Sequence, residues 1–268
     1  TVSFSATTTV DILIVGGGGA GGGTAGNQVS GGGGSGGEYK LKLQQSLDGQ
    51  HEINVGSGGT SATAVNGIEG SSTKFGSVYT CIGGGAGGSA VFPNSYDGTA
   101  GAYGGAGGIA AIYVLHEDGK NWVNGTRYGV VGLASGTTFK SGNSIYGGQN
   151  SFSGGGGGCG GSGLTGKYSN PTGSGGLGLS VPEFLVDVCG GGAGQFRSCN
   201  QGPIATHGGG AGNRNALDGT GGGGPGAAQN CPYAGSGASG VVMIRYRITP
   251  NSIITTSQPL FAMKLGPH

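Results

Sequence analysis

The chain alternates between two textures. Apolar, β-rich runs stand at Val10–Val15 (VDILIV), Glu38–Leu43 (EYKLKL), Glu183–Val188 (EFLVDV) and Val241–Ile248 (VVMIRYRI). Each is long enough for a strand, and several alternate apolar with polar positions as a half-buried strand does. Glycine runs separate them, at 16–26, 31–37, 83–88, 104–108, 154–161, 190–194, 208–212 and 219–226. Asp48-Gly49 reads as a turn, with His51–Val55 as the return strand of a hairpin. Lys74–Ile82 supplies a further strand. Periodic stretches rich in Ala, Leu, Glu and Lys are missing, so the pattern predicts an all-β chain with almost no α-helix.

Composition sharpens this. Glycine supplies 72 of 268 residues, where an ordinary chain has roughly 7%. Ordering each Gly costs roughly 0.5–1 kcal/mol more than ordering Ala, which sums to tens of kcal/mol. A chain with nothing to offset that cost stays disordered. The apolar strands are one offset. The other is available to the glycine runs themselves, as the extended threefold helix of the polyproline II type, with ~3 residues per turn. Its N–H and C=O groups point sideways, and without side chains the runs approach closely enough to bond one another. A net gain of ~1 kcal/mol per hydrogen bond matches the cost per Gly only when most bonds form. The runs therefore have to gather into one bundle of polyglycine II helices, with the strands as a frame. Gly-X-Y periodicity is absent and Pro totals only 9, which excludes collagen.

Charge removes several functions. Charged residues make up 9% of the chain and the net charge is +1, so there is no electrostatic footprint for nucleic acid. No run of 18 apolar residues exists, so no membrane span is expected. The first residues, TVSFSATTT, lack the basic start and apolar run of a signal peptide. The five cysteines, at 81, 159, 189, 199 and 231, form no CxxC pair, so no metal is expected. In an oxidising compartment they can form up to two disulfides with one thiol left over. Cys189 and Cys199, close in sequence and both in loops, are the pair expected first.

Two segments break the pattern. Residues 109–127 form an insertion richer in charge and aromatic side chains, including the only Trp, Trp122. Residues 249–268 change composition abruptly and read as a C-terminal extension to a domain spanning 1–248.

Four segments carry a resemblance. They are VDILIVGGGGAGGG, SSTKFGSVYTCIGGGAGG, YGGQNSFSGGGGGCGG and the ending SGASGVVMIRY. Together the chain resembles the glycine-rich domains of bacteriophage tail-fibre and other surface proteins. More loosely it resembles the glycine-rich ectodomain of anaplastic lymphoma kinase receptors. The resemblance implies a β framework around polyglycine helices, with roles in adhesion, receptor binding or assembly.

The sharpest rival is Gly16-x-Gly18-x-x-Gly21 after a strand, the fingerprint of a dinucleotide-binding enzyme using FAD or NAD. That site needs a helix whose N-terminus meets the pyrophosphate. Here the glycines continue into GTAGNQVSGGGGSGG, so no cofactor is expected. Nor does any glycine run end in Gly-Lys-Ser/Thr as a P-loop does. His116-Glu117-Asp118 reads as a solvated turn beside Gly119. No catalytic residue is expected, and the chain reads as a non-enzyme.

What remains is recognition and assembly. Tyr113, Trp122 and Tyr128 are candidate contacts for a cell-surface glycan or protein receptor. The alternative is that these aromatics cover the edges of the glycine bundle. Asn124-Gly125-Thr126 is a glycosylation sequon. In the tail, Ile253, Ile254, Leu260 and Phe261 are candidates for a strand added to the sheet edge of a neighbouring copy. The expected function is a structural subunit of an extracellular or virion-surface fibre, partnered by itself or by other fibre proteins. An adhesin at a fibre tip is the alternative.

Overall fold

The computed structural model describes residues 1–25, 29–91, 94–105, 109–110, 112–113, 122–123, 126–127, 129–134, 139–142, 144–147, 150–166, 173–195, 204–212, 214–228, 234–246 and 254–256. The described residues form strands and turns and no α-helix. The expected all-β class holds.

The frame is one antiparallel sheet built around an opening strand, Val2–Val15. Tyr39–His51 pairs along one side of it. The closing strand Val241–Tyr246 pairs along the upper half of the other side, Val15 opposite Val241 and Val10 opposite Tyr246. Ile254–Thr256 pairs with Val2–Phe4 lower on that same side.

Both faces of the opening strand are covered, which explains its run of four consecutive apolar residues. Val10, Ile12 and Ile14 pack with Phe75, Cys81 and Val242 on one face. Leu13 and Val15 pack with Val181, Phe184 and Val188 on the other. The first face is capped by a meander of Ile53–Asn54, Thr73–Phe75 and Tyr79–Cys81. The second is capped by the hairpin Leu179–Val181/Val186–Val188. Ile12, Leu13, Ile14 and Val15 are fully buried, each worth about 1.5–3 kcal/mol.

The hairpin expected at Asp48-Gly49 does not form. Tyr39–His51 continues through it as one strand, because its partner is the long opening strand rather than His51–Val55. The turn-forming pair is absorbed as an irregularity between Phe4 and Thr8 of the partner, with Gly49 at a φ of +66° that few other residues tolerate.

At its upper end the sheet becomes something else. Val15 runs into Gly16–Gly23, Tyr39 is preceded by Gly31–Glu38, and Val241 by Gly235–Gly240. Along the first run, each N–H donates to a different neighbour in strict rotation. Gly16, Gly19 and Gly22 donate to Glu38, Ser35 and Gly32. Gly17, Ala20 and Gly23 donate to Ser71, Ile68 and Val65, and Gly18 and Gly21 to Ala238 and Gly235. The run accepts in turn from Gly84 and Gly87, from Gly224 and Ala227, and from Gly59. It therefore touches six neighbours. The second run behaves alike: Gly31, Gly34 and Gly37 donate to Ala227, Gly224 and Gly221, while Gly32, Ser35 and Glu38 donate to Gly88, Gly85 and Ile82. Gly33 and Gly36 donate to Gly154 and Gly157. Side-chain alternation has period two in the sheet, whereas the lateral bonding of these runs has period three.

The close approach of these runs requires glycine. A Cβ on Gly18 falls on the carbonyl of Gly222, and one on Gly34 falls on the carbonyls of Gly19 and Ala20. Small, fully buried residues hold places within the runs at Ala20, Ser35, Ala86 and Ala193. Gly34→Ala is expected to lower stability by about 3 kcal/mol, because backbone on an adjacent run has to move. Gly49→Ala, whose Cβ meets nothing within 4 Å, is expected to cost only the left-handed backbone, about 1–2 kcal/mol. Denaturant unfolding of the two variants beside the wild type checks the ranking.

Candidate functional site

The lone charges in the opening and closing strands meet. Asp11 and Arg245 stand opposite each other in the register. Arg245 donates from Nε and Nη2 to one Asp11 carboxylate oxygen, at 3.0 and 2.6 Å. The other oxygen accepts the N–H of Gln44 at 2.8 Å. Gln44 sits at a bulge in Tyr39–His51 with a φ of 53°, so Asp11 satisfies the donor that the bulge frees. Arg245 also donates to the carbonyl of Glu183 at 2.8 Å, and its guanidinium lies over the Phe184 ring, 5.8 Å from its centroid. One ion pair thus ties three strands of the sheet to the hairpin covering it. Burial raises the Asp11 pKa, but the Gln44 amide and the Arg245 guanidinium outweigh it and hold the carboxyl below its ordinary value.

A second charged residue guards the junction between sheet and lattice. Glu38 is buried. It accepts from Lys40 Nζ at 2.7 Å and from the N–H of Ile82 at 2.9 Å. Its own N–H donates to the Ile82 carbonyl and its carbonyl accepts from Gly16. Tyr103 is buried in the core against Leu13 and Val15; burial, with the Glu38 carboxylate nearby, raises its phenol above the usual value.

Sulfur supplies the one covalent clamp among the described residues. Cys159, from a glycine run, is bonded to Cys189, which ends the strand Val186–Val188, with Cα atoms 5.7 Å apart. This corrects the pairing expected from the sequence: Cys189 joins a partner 30 residues away, and Cys199 lies outside the described residues. Lateral packing decides the matter, since Cys159 already donates its N–H to the Cys189 carbonyl. Cys81 is a buried free thiol whose pKa burial pushes up to about 12.

The remaining expected site residues separate. Ile112–Tyr113 pairs antiparallel with Trp122–Val123, setting Tyr113 directly opposite Trp122; Tyr128 and Asn124 lie outside the described residues. In the tail, Ile254 pairs with Phe4 of its own chain, and Ile253, Leu260 and Phe261 lie outside the described residues. No cluster of three His, Cys, Asp or Glu side chains suited to a metal occurs among the described residues. No helix among them is long and apolar enough to cross a membrane. In the GxGxxG segment, every N–H from Gly16 to Gly21 already donates to a protein carbonyl.

Sequence reasoning missed the Asp11–Gln44–Arg245 node. Its signal was present: two apolar strands, VDILIV and VVMIRY, each carry a single charge, and the charges are opposite in sign.

These features define a class: an all-β domain whose sheet opens into laterally bonded glycine runs, tied among the described residues by the Asp11–Arg245 node and the Cys159–Cys189 disulfide. The profile of the glycine-rich domain family matches residues 1–247, and the chain belongs to that family. No curated protein matches it closely enough to stand as a relative.

Two outcomes test this geometry. Because the folded Asp11 pKa is depressed, its stabilisation is complete above the ordinary carboxylate value, about 3.9, and is lost as pH falls through the folded value. Asp11→Asn is therefore expected to melt below the wild type at pH 7, with the gap closing at acid pH. Peptide mapping without reductant should return Cys159 joined to Cys189, and Cys81 should resist alkylation until the protein is unfolded.

Proposed function

We propose that this chain is a non-enzymatic structural subunit of an extracellular or virion-surface fibre, and that its glycine runs are polyglycine II helices bundled into a rigid lattice. The observation that carries this reading is the threefold rotation of hydrogen-bond partners along Gly16–Gly23 and Gly31–Glu38, the bonding that a threefold extended helix requires. A lattice bonded backbone to backbone, with few charges, suits durable material better than a tuned reaction site. The use of the GxGxxG amides within the protein argues in the same direction. The Cys159–Cys189 bond fits an oxidising exterior, as does the resemblance to tail-fibre domains.

A receptor-binding adhesin at a fibre tip is the second reading, favoured by one observation: Tyr113 and Trp122 occupy directly paired positions. Paired aromatics suit glycan or protein recognition at low entropic cost.

Cryo-electron microscopy of the purified chain in non-reducing buffer separates the two. Ordered filaments or defined assemblies, with glycine runs of ~3 residues per turn and ~3.1 Å rise, are expected for the subunit. Discrete particles whose binding to a glycan array is abolished by Trp122→Ala transfer the assignment to the adhesin.

A further inference from the structure

We infer that the closing strand Val241–Tyr246 is the assembly edge of this protein and pairs antiparallel with the same strand of a second copy. The inference rests on the subunit reading above and names its partner. Both edges of the main sheet end without another strand among the described residues, but the two edges differ. Tyr39–His51 carries the devices that keep an edge from pairing. It has Lys42, a bulge at left-handed Gln44, and Gln45 Nε2 donating back to the Leu43 carbonyl at 2.8 Å. Val241–Tyr246 carries none of these. Its register with the opening strand is unbroken over all 6 residues. Its sequence, VVMIRY, is the β-branched, aliphatic and aromatic kind that strands favour. Its single charge, Arg245, is already engaged by Asp11.

A second observation lies beside that edge. The turn Pro182–Leu185 reaches it through the Glu183 carbonyl, which accepts from Arg245. Leu185, in that turn, is 71% exposed and holds a φ of 55°. A leucine in the left-handed region is an outlier, and an outlier that also exposes a large apolar side chain points to a role outside the monomer. Asn or Gly would occupy the turn without strain. Leucine there makes sense as cover for an apolar partner.

The partner's chemistry follows from the symmetry. A twofold axis through such an edge sets one residue, Met243 or Ile244, against its own copy. Arg245 then faces Val241 or Met243, never another Arg245, so no like charges meet. Because Val241 adjoins the glycine lattice through Gly240, antiparallel pairing puts the two lattices at opposite ends of one continuous sheet. The product is a closed, two-headed dimer, whose outward-facing lattices are left free for further contacts.

The test is sedimentation velocity on the full chain over a concentration series, in non-reducing buffer, with hydrogen exchange read at residues 241–246. The expected result is a dimer with protected amides on the closing strand. Leu185→Asn is expected to weaken dimerisation about tenfold while the monomer melts no lower than the wild type, since the strained turn is relieved. Val241→Lys, a charged guard on the edge, is expected to weaken dimerisation as well. Assembly that both variants leave untouched overturns the edge while the subunit reading survives. A wild type that stays monomeric at every concentration overturns both.

Discussion

Everything in this protein depends on how closely two stretches of backbone can lie side by side. A hydrogen bond between neighbouring glycine runs forms at 2.8–3.0 Å along Gly16–Gly23, with no room left for a Cβ at positions such as Gly18 and Gly34. Each bond is weak in net terms, ~1 kcal/mol, and each glycine costs about as much to order. The balance turns favourable only when almost every group is bonded at once. The lattice therefore has no stable fragment: a run with six neighbours is useful, and one with two is a disordered linker. The small buried residues fit the same rule. Ser35 keeps its place within a run because its Oγ accepts the N–H of Gly85 at 2.7 Å.

A lattice of this kind needs its runs set in register, and the sheet sets three of them. Three strands enter the lattice at the same end, so their pairing fixes where three of the glycine runs begin. Val15 opposite Tyr39 leads directly to Gly16 donating to Glu38. The change from period two to period three happens within one residue on each strand. Glu38 stands at that point and bonds two backbone segments and Lys40 together. The apolar core then stabilises the frame in the ordinary way, with both faces of the opening strand buried. The Asp11–Arg245 pair ties the closing strand, the bulge and the covering hairpin into one unit. The disulfide joins two further glycine runs, one following the strand Asn150–Phe152 and the other the strand Val186–Val188.

Much of this was legible in the sequence, and the reasons are local. Apolar runs of strand length marked the opening and closing strands, and the lack of helix-forming periodicity set the all-β class. Glycine content together with strand content separated a folded lattice from a disordered chain. The change of composition near residue 248 was visible there too.

Partners, by contrast, were decided only in three dimensions. Asp48-Gly49 has the chemistry of a turn, yet it lies within a strand because a 14-residue neighbour was available to pair with it. Cys189 found Cys159 rather than the nearer Cys199, because lateral packing of glycine runs brings distant segments within bonding distance regardless of sequence separation. Ile254 met Phe4 of its own chain because the closing strand had already opened a path down the same edge. Glycine has no side chain with which to encode a preferred neighbour. The sequence could therefore determine that these runs must bond sideways. Which run bonds which was left to the strands that deliver them.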